Sequence, residues 1–346
     1  MHWKQLKAYR LENNYRVGII GAGAIVESSH IPVLKVLPGI SIQWVYDRDT
    51  SRSQLVSKMF RIPVLENEEM EKAIEDIDIC LLTIPYGARR KYIELCAAKG
   101  KALYVEKPFA ITAGEHIDYC KLFQPYELAI GFQRRYYQTA GLLKNLVRSE
   151  LFGRLQKIQF NQGYFALKGN KPFLSDAALA GGGVIIESAI HTLDQLLLIT
   201  GATAVNVKDA LSLQKNGIDY DSKFETVLSG KDIFIEVGAG ISSMRNLSNG
   251  VHFFFEHASV MCSMSPDEKP GIFDKNGKRL SLDIGRIENG DNAGENARSI
   301  GAAFYFFWKD FLSAIGTKSP NMTSAVNSLL TTSWIEQVYT KINHRS

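Results

Sequence analysis

Tyr15-Arg16-Val17-Gly18-Ile19-Ile20-Gly21-Ala22-Gly23-Ala24-Ile25-Val26 decides how the rest of the chain is read. Residues 15–20 are a short apolar run with β-branched members, the pattern of a strand buried on both faces of a parallel sheet. Two spaced glycines follow at once, then a stretch able to form helix to about Pro32. Strand, glycine turn and helix are the context that a dinucleotide-binding turn requires. Gly21 permits the tight turn and Gly23 lets the backbone approach a pyrophosphate. The helix start, Ala24 and Ile25, offers free N–H groups and a positive dipole end to that anion. Val26 departs from the pattern, because a small residue there usually lets helix and strand pack closely.

The neighbouring segments extend the reading. Ser41–Tyr46 alternates like a strand and ends at Asp47, 26 residues after Gly21. That is near the spacing of the acid that binds the adenosine ribose hydroxyls. A carboxylate there favours NAD by repelling a 2′-phosphate, while Arg48 beside it leaves NADP open. Ile77–Ile84 is an apolar strand ending at Pro85, residues 87–99 read as a helix closed by Gly100, and Ala102–Val105 runs straight into Glu106-Lys107-Pro108. Leu128–Phe132 is a further strand. Strands alternating with helices imply a doubly wound α/β sheet with ligands at the carboxyl ends of the strands. Gly21, Asp47, Pro85, Glu106 and Lys107 all fall at such ends, so one crevice can collect them.

After residue 132 the pattern changes. Strand-like runs (Leu155–Phe165, Ala204–Leu213, Thr226–Leu228, Ile233–Val237, Val251–Phe255) are separated by turn residues, and Asp274-Lys275-Asn276-Gly277-Lys278 is a hairpin signal. The expectation is an α+β second domain on a large, mostly antiparallel open sheet. Residues 1–132 would form the nucleotide-binding domain. Residues 133–346 would form the substrate and oligomerisation domain, its closing helical segment able to pack back on the first. A chain of 346 residues suits two cores. Within the second half, Gly181-Gly182-Gly183 introduces an apolar helix to about Ile199, with Gly201 as its cap. Glu187, His191 and Asp194 or Gln195 are spaced to share one stripe of that helix. Ionisable groups on a buried helix are costly unless paired or used, so the stripe is expected to face a polar cavity.

Composition is that of an ordinary globular protein, with a net charge of +4. No basic stripe points to nucleic acid, and the chain has no uninterrupted apolar run of membrane-spanning length. The start, Met1–Lys7, lacks the apolar run of a signal peptide, and Cys80, Cys96, Cys120 and Cys262 form no Cys-x-x-Cys pair. The expectation is a cytoplasmic protein with reduced thiols and no metal site.

From about Tyr15 to about Lys341 the chain resembles the Gfo/Idh/MocA oxidoreductases, the glucose-fructose oxidoreductase, inositol dehydrogenase and MocA-like proteins. The residues that carry the resemblance are Glu106-Lys107-Pro108 after a strand, and Gly181-Gly182-Gly183 followed by His191 and Asp194. The glycine turn with His30-Ile31-Pro32, Gly131–Tyr136 and Trp308–Ile315 support it. The resemblance implies NAD(P)-dependent hydride transfer at a hydroxyl-bearing carbon of a sugar, polyol or nucleotide sugar. Lys107 matches the family's active-site lysine and would hydrogen-bond the reacting oxygen. His191 matches the usual acid/base. Glu106 would anchor the nicotinamide side and Pro108 would fix the turn that aims Lys107. Glu187, Asp194 and Arg135 are the candidate substrate contacts. The chain departs from the family at Glu187, where many members carry Asp, and at Tyr86 and Arg89, where Asn and His are frequent. Two further readings stand beside the dehydrogenase. One is redox-neutral glycoside cleavage with retained NAD, and the other a non-catalytic NAD sensor. The family also implies a homo-oligomer, dimer or tetramer, built through the open sheet.

Overall fold

The computed structural model describes residues 14–66, 69–164, 172–281 and 297–344. The expected end of the first long strand of the second half, Phe165, and the N-terminal stretch Met1–Lys7 lie outside these residues. The first half is a five-stranded sheet of β1 (Tyr15–Ile20), β2 (Ile40–Tyr46), β3 (Ile79–Leu82), β4 (Ala102–Val105) and β5 (Leu128–Ile130). The order is β2-β1-β3-β4-β5 and every pairing is parallel. β3 and β4 are buried at every residue, which is why they read as unbroken apolar runs. A single parallel bridge, Val45 to Val64, adds one residue of a sixth strand outside β2. With it the sheet has the strand order of the dinucleotide-binding fold, and the order reverses between β1 and β3. The connecting helices include α1 (Ile31–Leu34), α2 (Thr50–Phe60), α3 (Met70–Glu75), α4 (Arg90–Ala98) and α5 (Ala113–Cys120).

The second half is an eight-stranded sheet of β6 (Leu155–Gly163), β7 (Ala204–Lys215), β8 (Ile218–Gly230), β9 (Ile233–Ser242), β10 (Gly250–Phe255), β11 (Ala258–Cys262), β12 (Gly271–Asp274) and β13 (Arg279–Leu280). Its order is β13-β12-β11-β10-β6-β9-β8-β7, and only β6 and β9 run parallel. Strict alternation of burial along β10 marks a sheet with one packed face. α10 (Leu329–Asn343) packs on β7, α8 (Ile190–Thr200) lies against α10 and α6 (Gln138–Ser149) against α8, while α7 (Ala177–Ala180) meets the turn Tyr86–Ala88 of the first half. The helical run 177–200 is long and apolar enough to cross a membrane, yet 89% of its most apolar window is buried inside the protein.

One core cluster runs from the parallel sheet (Leu82, Leu103) through α8 (Leu193, Leu196) to the second sheet (Phe160, Val237). The other lies on the far face of the parallel sheet and is completed by α9 (Ile300–Thr317). Phe304, Phe307, Trp308 and Phe311 of α9 are fully buried there, and Trp308 stacks on Tyr104 of β4. The closing helical segment thus packs back on the nucleotide-binding half through its aromatic residues.

Candidate active site

Gly21 ends β1 with φ +105°, and a Cβ there would stand 2.5 Å from Thr83 Oγ1 at the end of β3. Only glycine fits that turn. Val26 and Glu27 donate the first helical bonds, both to Gly23 O, so the N–H groups of Ala24 and Ile25 precede the bonded turns. A Cβ on Gly23 would meet nothing within 4 Å, leaving open space beside the turn. At the end of β2, Asp47 accepts Ala22 N at 2.7 Å and Asp49 N at 2.9 Å. Each carboxylate oxygen keeps a lone pair for a ribose hydroxyl. Arg48 is exposed beside it. An open glycine turn, free helix-start donors and a fixed carboxylate fit a dinucleotide.

The helix after the turn differs from expectation. Residues 26–30 form a π turn, Ile31 N bonding back to Val26 O, and helix continues through Pro32 to Leu34. The wide turn has already broken the regular ladder where proline would break it. Val26 is fully buried at this point. The π turn also directs His30 inward. Trp308 donates its indole N–H to His30 Nδ1 at 3.1 Å. An indole nitrogen only donates, so the ring's proton sits on Nε2, which donates to Glu106 Oε1 at 3.1 Å. The other carboxylate oxygen accepts Lys107 N at 3.2 Å.

The Glu106-Lys107-Pro108 segment, with a cis peptide before Pro108, is also held from below. Arg89 is 4% exposed and donates from Nε to Ile84 O at 2.7 Å and from one terminal nitrogen to both Glu106 O and Pro108 O. Burial pulls its pKa down to about 10. Lys107 Nζ donates to Glu187 O at 2.8 Å and lies 3.8 Å from Glu187 Oε2.

Glu187 sits in a second π turn, Ile185–Ala189, ahead of α8. Asp219 of β8 caps the start of this turn, accepting Gly183 N at 2.6 Å, Ile185 N at 2.9 Å and Tyr339 OH at 2.8 Å. Gly183 is required, because its Cβ would lie 2.0 Å from Asp219 O. The extra residue in the π turn slips the helical phase, so the expected single stripe is divided. Glu187 and His191 line the cavity. Asp194 and Arg135 do not: they pair with each other, Nε to Oδ2 at 2.8 Å and a terminal nitrogen to Oδ1 at 2.5 Å, both deeply buried. Thr331 Oγ1 and Met322 O complete that pair, which ties α8 to the chain around α10. Asp194 and Arg135, expected as substrate contacts, are thus held by each other and stand outside the cavity lining. Gln195, the alternative to Asp194, donates to Arg134 O and is buried as well.

A cavity of about 260 Å³ joins these parts. Ile25, Pro85, Glu106, Lys107, Glu187 and His191 line it, as does Arg89, together with Gln133. Of the expected residues, Gly21, Gly23, Ala24, Asp47 and Arg48 stand on or beside the glycine turn rather than in this cavity. Sequence reading gave no role to Arg89, His30, Gln133 or Asp219. For His30 the signal was its place in His30-Ile31-Pro32. For Arg89 it was only the departure from the family pattern. For Gln133 it was its place in Gly131–Tyr136, and Asp219 carried none. An ammonium, an imidazole and a carboxylate around one cavity at the carboxyl ends of parallel strands can hold an oxygen and exchange its proton.

Residues 15–131 match the GFO/IDH/MocA oxidoreductase family with its NAD-binding Rossmann fold, and residues 141–260 match the GFO/IDH/MocA C-terminal domain. The chain is 26% identical over 208 residues to the rhizopine catabolism protein MocA of Rhizobium meliloti, covering 57% of this chain and 61% of that protein. It is 24% identical to the scyllo-inositol 2-dehydrogenase (NADP(+)) IolW of Bacillus subtilis, covering 68% and 66%. These matches thus span somewhat under two thirds of each relative's length. Among solved structures, the aldose-aldose oxidoreductase of Caulobacter crescentus superposes with a TM-score of 0.78 at 17% identity, covering 96% of this chain and 99% of that one. An oxidoreductase from Agrobacterium radiobacter, solved with NAD+ and L-tartaric acid, gives 0.75 at 17% identity, covering 96% and 98%.

Proposed function

The chain belongs to the GFO/IDH/MocA oxidoreductase family, and from that premise we propose that it is an NAD-dependent dehydrogenase or reductase acting on a hydroxyl-bearing carbon of a sugar, polyol or nucleotide sugar. The observation that carries this reading is the meeting of Lys107, Glu187 and His191 on one cavity beside the glycine turn. The nicotinamide, when bound, supplies the partner for the two-electron transfer. Gly21, Gly23, Ala24 and Ile25 hold its pyrophosphate, Asp47 its adenosine ribose, and Pro85 with the Glu106 turn its reactive end. Lys107 and His191 hydrogen-bond the reacting oxygen and exclude water from it. Lys107 puts positive charge where an alkoxide develops. Asp47 disfavours a 2′-phosphate, so NAD binds in preference to NADP. Residues 1–132 carry the cofactor and 133–346 the substrate side and subunit contacts.

The test is nucleotide binding to the purified protein, then NADH formation against polyols, sugars and nucleotide sugars. Turnover with one class, lowered about 1000-fold in Lys107→Ala, is the expected result for loss of the group that holds positive charge at the reacting oxygen. Absence of nucleotide binding, or turnover indifferent to Lys107, would overturn it.

A further inference from the structure

Two arginines are buried among the described residues, and only one of them has a carboxylate. Arg135, 7% exposed, pairs with Asp194. Arg89, 4% exposed, has three N–H groups on Ile84 O, Glu106 O and Pro108 O, all neutral main-chain oxygens. A guanidinium carries five N–H groups. The two on the second terminal nitrogen bond no described residue, and Arg89 lines the cavity.

The carboxylates nearby do not match that charge. Glu106 engages its oxygens with His30 Nε2 and Lys107 N, and acts on Arg89 only through space. Glu187 stands against Lys107. Burial pulls Arg89 down to about 10, which still leaves it charged at neutral pH. A desolvated cation without a counter-ion is strongly unfavourable, so native proteins pair it or use it. The oxidised nicotinamide is itself a cation and cannot supply the balance. An anionic group on the substrate can. One unmatched positive charge suits one carboxylate, whereas a phosphate dianion would leave a negative charge over.

We propose that the second terminal nitrogen of Arg89 binds a carboxylate of the substrate, so that the site takes a polyhydroxy acid, an aldonate or uronate, ahead of its uncharged counterpart. The assignment rests on the oxidoreductase reading above and narrows it. Arg89 holds the main chain on both sides of Lys107, at Glu106 O and Pro108 O. The carboxylate and the reacting hydroxyl are thereby drawn to the same end of the cavity. A histidine, frequent at this position in the family, has at most two N–H groups and could not serve both the main chain and a ligand. The guanidinium divides the work, three N–H groups holding the turn and two facing the substrate.

The experiment uses the full chain with NAD bound. Calorimetric titration compares matched pairs: D-gluconate with D-glucitol, D-galactonate with galactitol, and D-glucuronate with D-glucose. D-glucose 6-phosphate is the phosphate control, and NADH formation is followed with every compound. At least one acid is expected to bind about 10- to 100-fold tighter than its counterpart, the worth of hydrogen bonds to a charged group. Arg89→Gln, checked for folding by circular dichroism, is expected to abolish that ratio. A loosened turn would weaken both members of a pair alike, so the ratio isolates the charge. Should Arg89→Gln fail to fold, the wild-type ratios decide. Equal affinity within every pair, no binding of any acid, tighter binding of glucose 6-phosphate than of glucuronate, or an acid preference that survives in Arg89→Gln overturns the proposal. Calorimetry needs no turnover. An acid bound through Arg89 without NADH formation sinks the oxidoreductase reading alone, and NADH from uncharged compounds only sinks this one.

Discussion

Arg89 holds Ile84 O, Glu106 O and Pro108 O, main-chain oxygens at the ends of two strands that no ladder serves. Removing the guanidinium leaves them buried and unpaired. Arg89→Met is expected to lower stability by about 2–3 kcal/mol, read as a shift in urea midpoint, and to reduce turnover through a loosened Lys107. Arg89→Lys should recover little of either, because a single ammonium lacks the planar fork that reaches three acceptors. Lys107 and His191 were legible in the sequence because local motifs carry them. Arg89 was not, because its partners lie up to nineteen positions away and only the fold brings them together. Asp194 and Arg135 were legible as polar residues in apolar surroundings but not as each other's partner. A buried charge signals that it is paired or used, and nothing in the sequence says which.

At the scale of elements, the strands of the parallel sheet were found within a few residues, whereas β8 was read only as Thr226–Leu228, β11 was not read, and the helix phases were missed. Apolar runs such as Tyr15–Ile20 and Ala102–Val105 match their strands because a fully buried strand needs only apolar residues of the right length. Two π turns were missed, since each inserts one residue into a helix without changing its apolar character. Both aim a site residue, His30 in one case and Glu187 in the other. Between elements, His116 pins α5 to the C-terminal helix, with Nε2 bonded to Ala325 O and Nδ1 to Thr332 Oγ1. Burial lowers its pKa from 6.5 to about 4. The fold holds the neutral ring, so this contribution is complete above pH 6.5 and is lost as pH falls from there towards 4. The shift is worth about 3 kcal/mol. Urea midpoints at pH 7.5 and 4.5 should show that loss in the wild type and a smaller one in His116→Gln.

At the scale of the molecule, the outer face of the second sheet exposes Leu211, Leu213, Phe234 and Met261. Strand register places all four on one side. Monomers rarely present so apolar a sheet face to water. If this face joins subunits, Phe234→Glu should lower the mass measured by light scattering towards that of one chain while leaving the circular dichroism spectrum unchanged. A wild-type mass of one chain at all concentrations would remove the idea.

The return of α9 to the first sheet also has a consequence in time. Some 170 residues separate Ile130, the end of the last parallel strand, from Ile300, where that helix begins. At ribosomal speeds of about 5–20 residues per second, roughly 10 to 30 s pass between them. Throughout that interval the nascent nucleotide-binding half lacks Phe304, Trp308 and Phe311, and Tyr104 has nothing to stack on. The growing chain therefore carries an uncovered apolar face through about half of its synthesis, and its first half reaches its final packing only when the last fifth has left the exit tunnel.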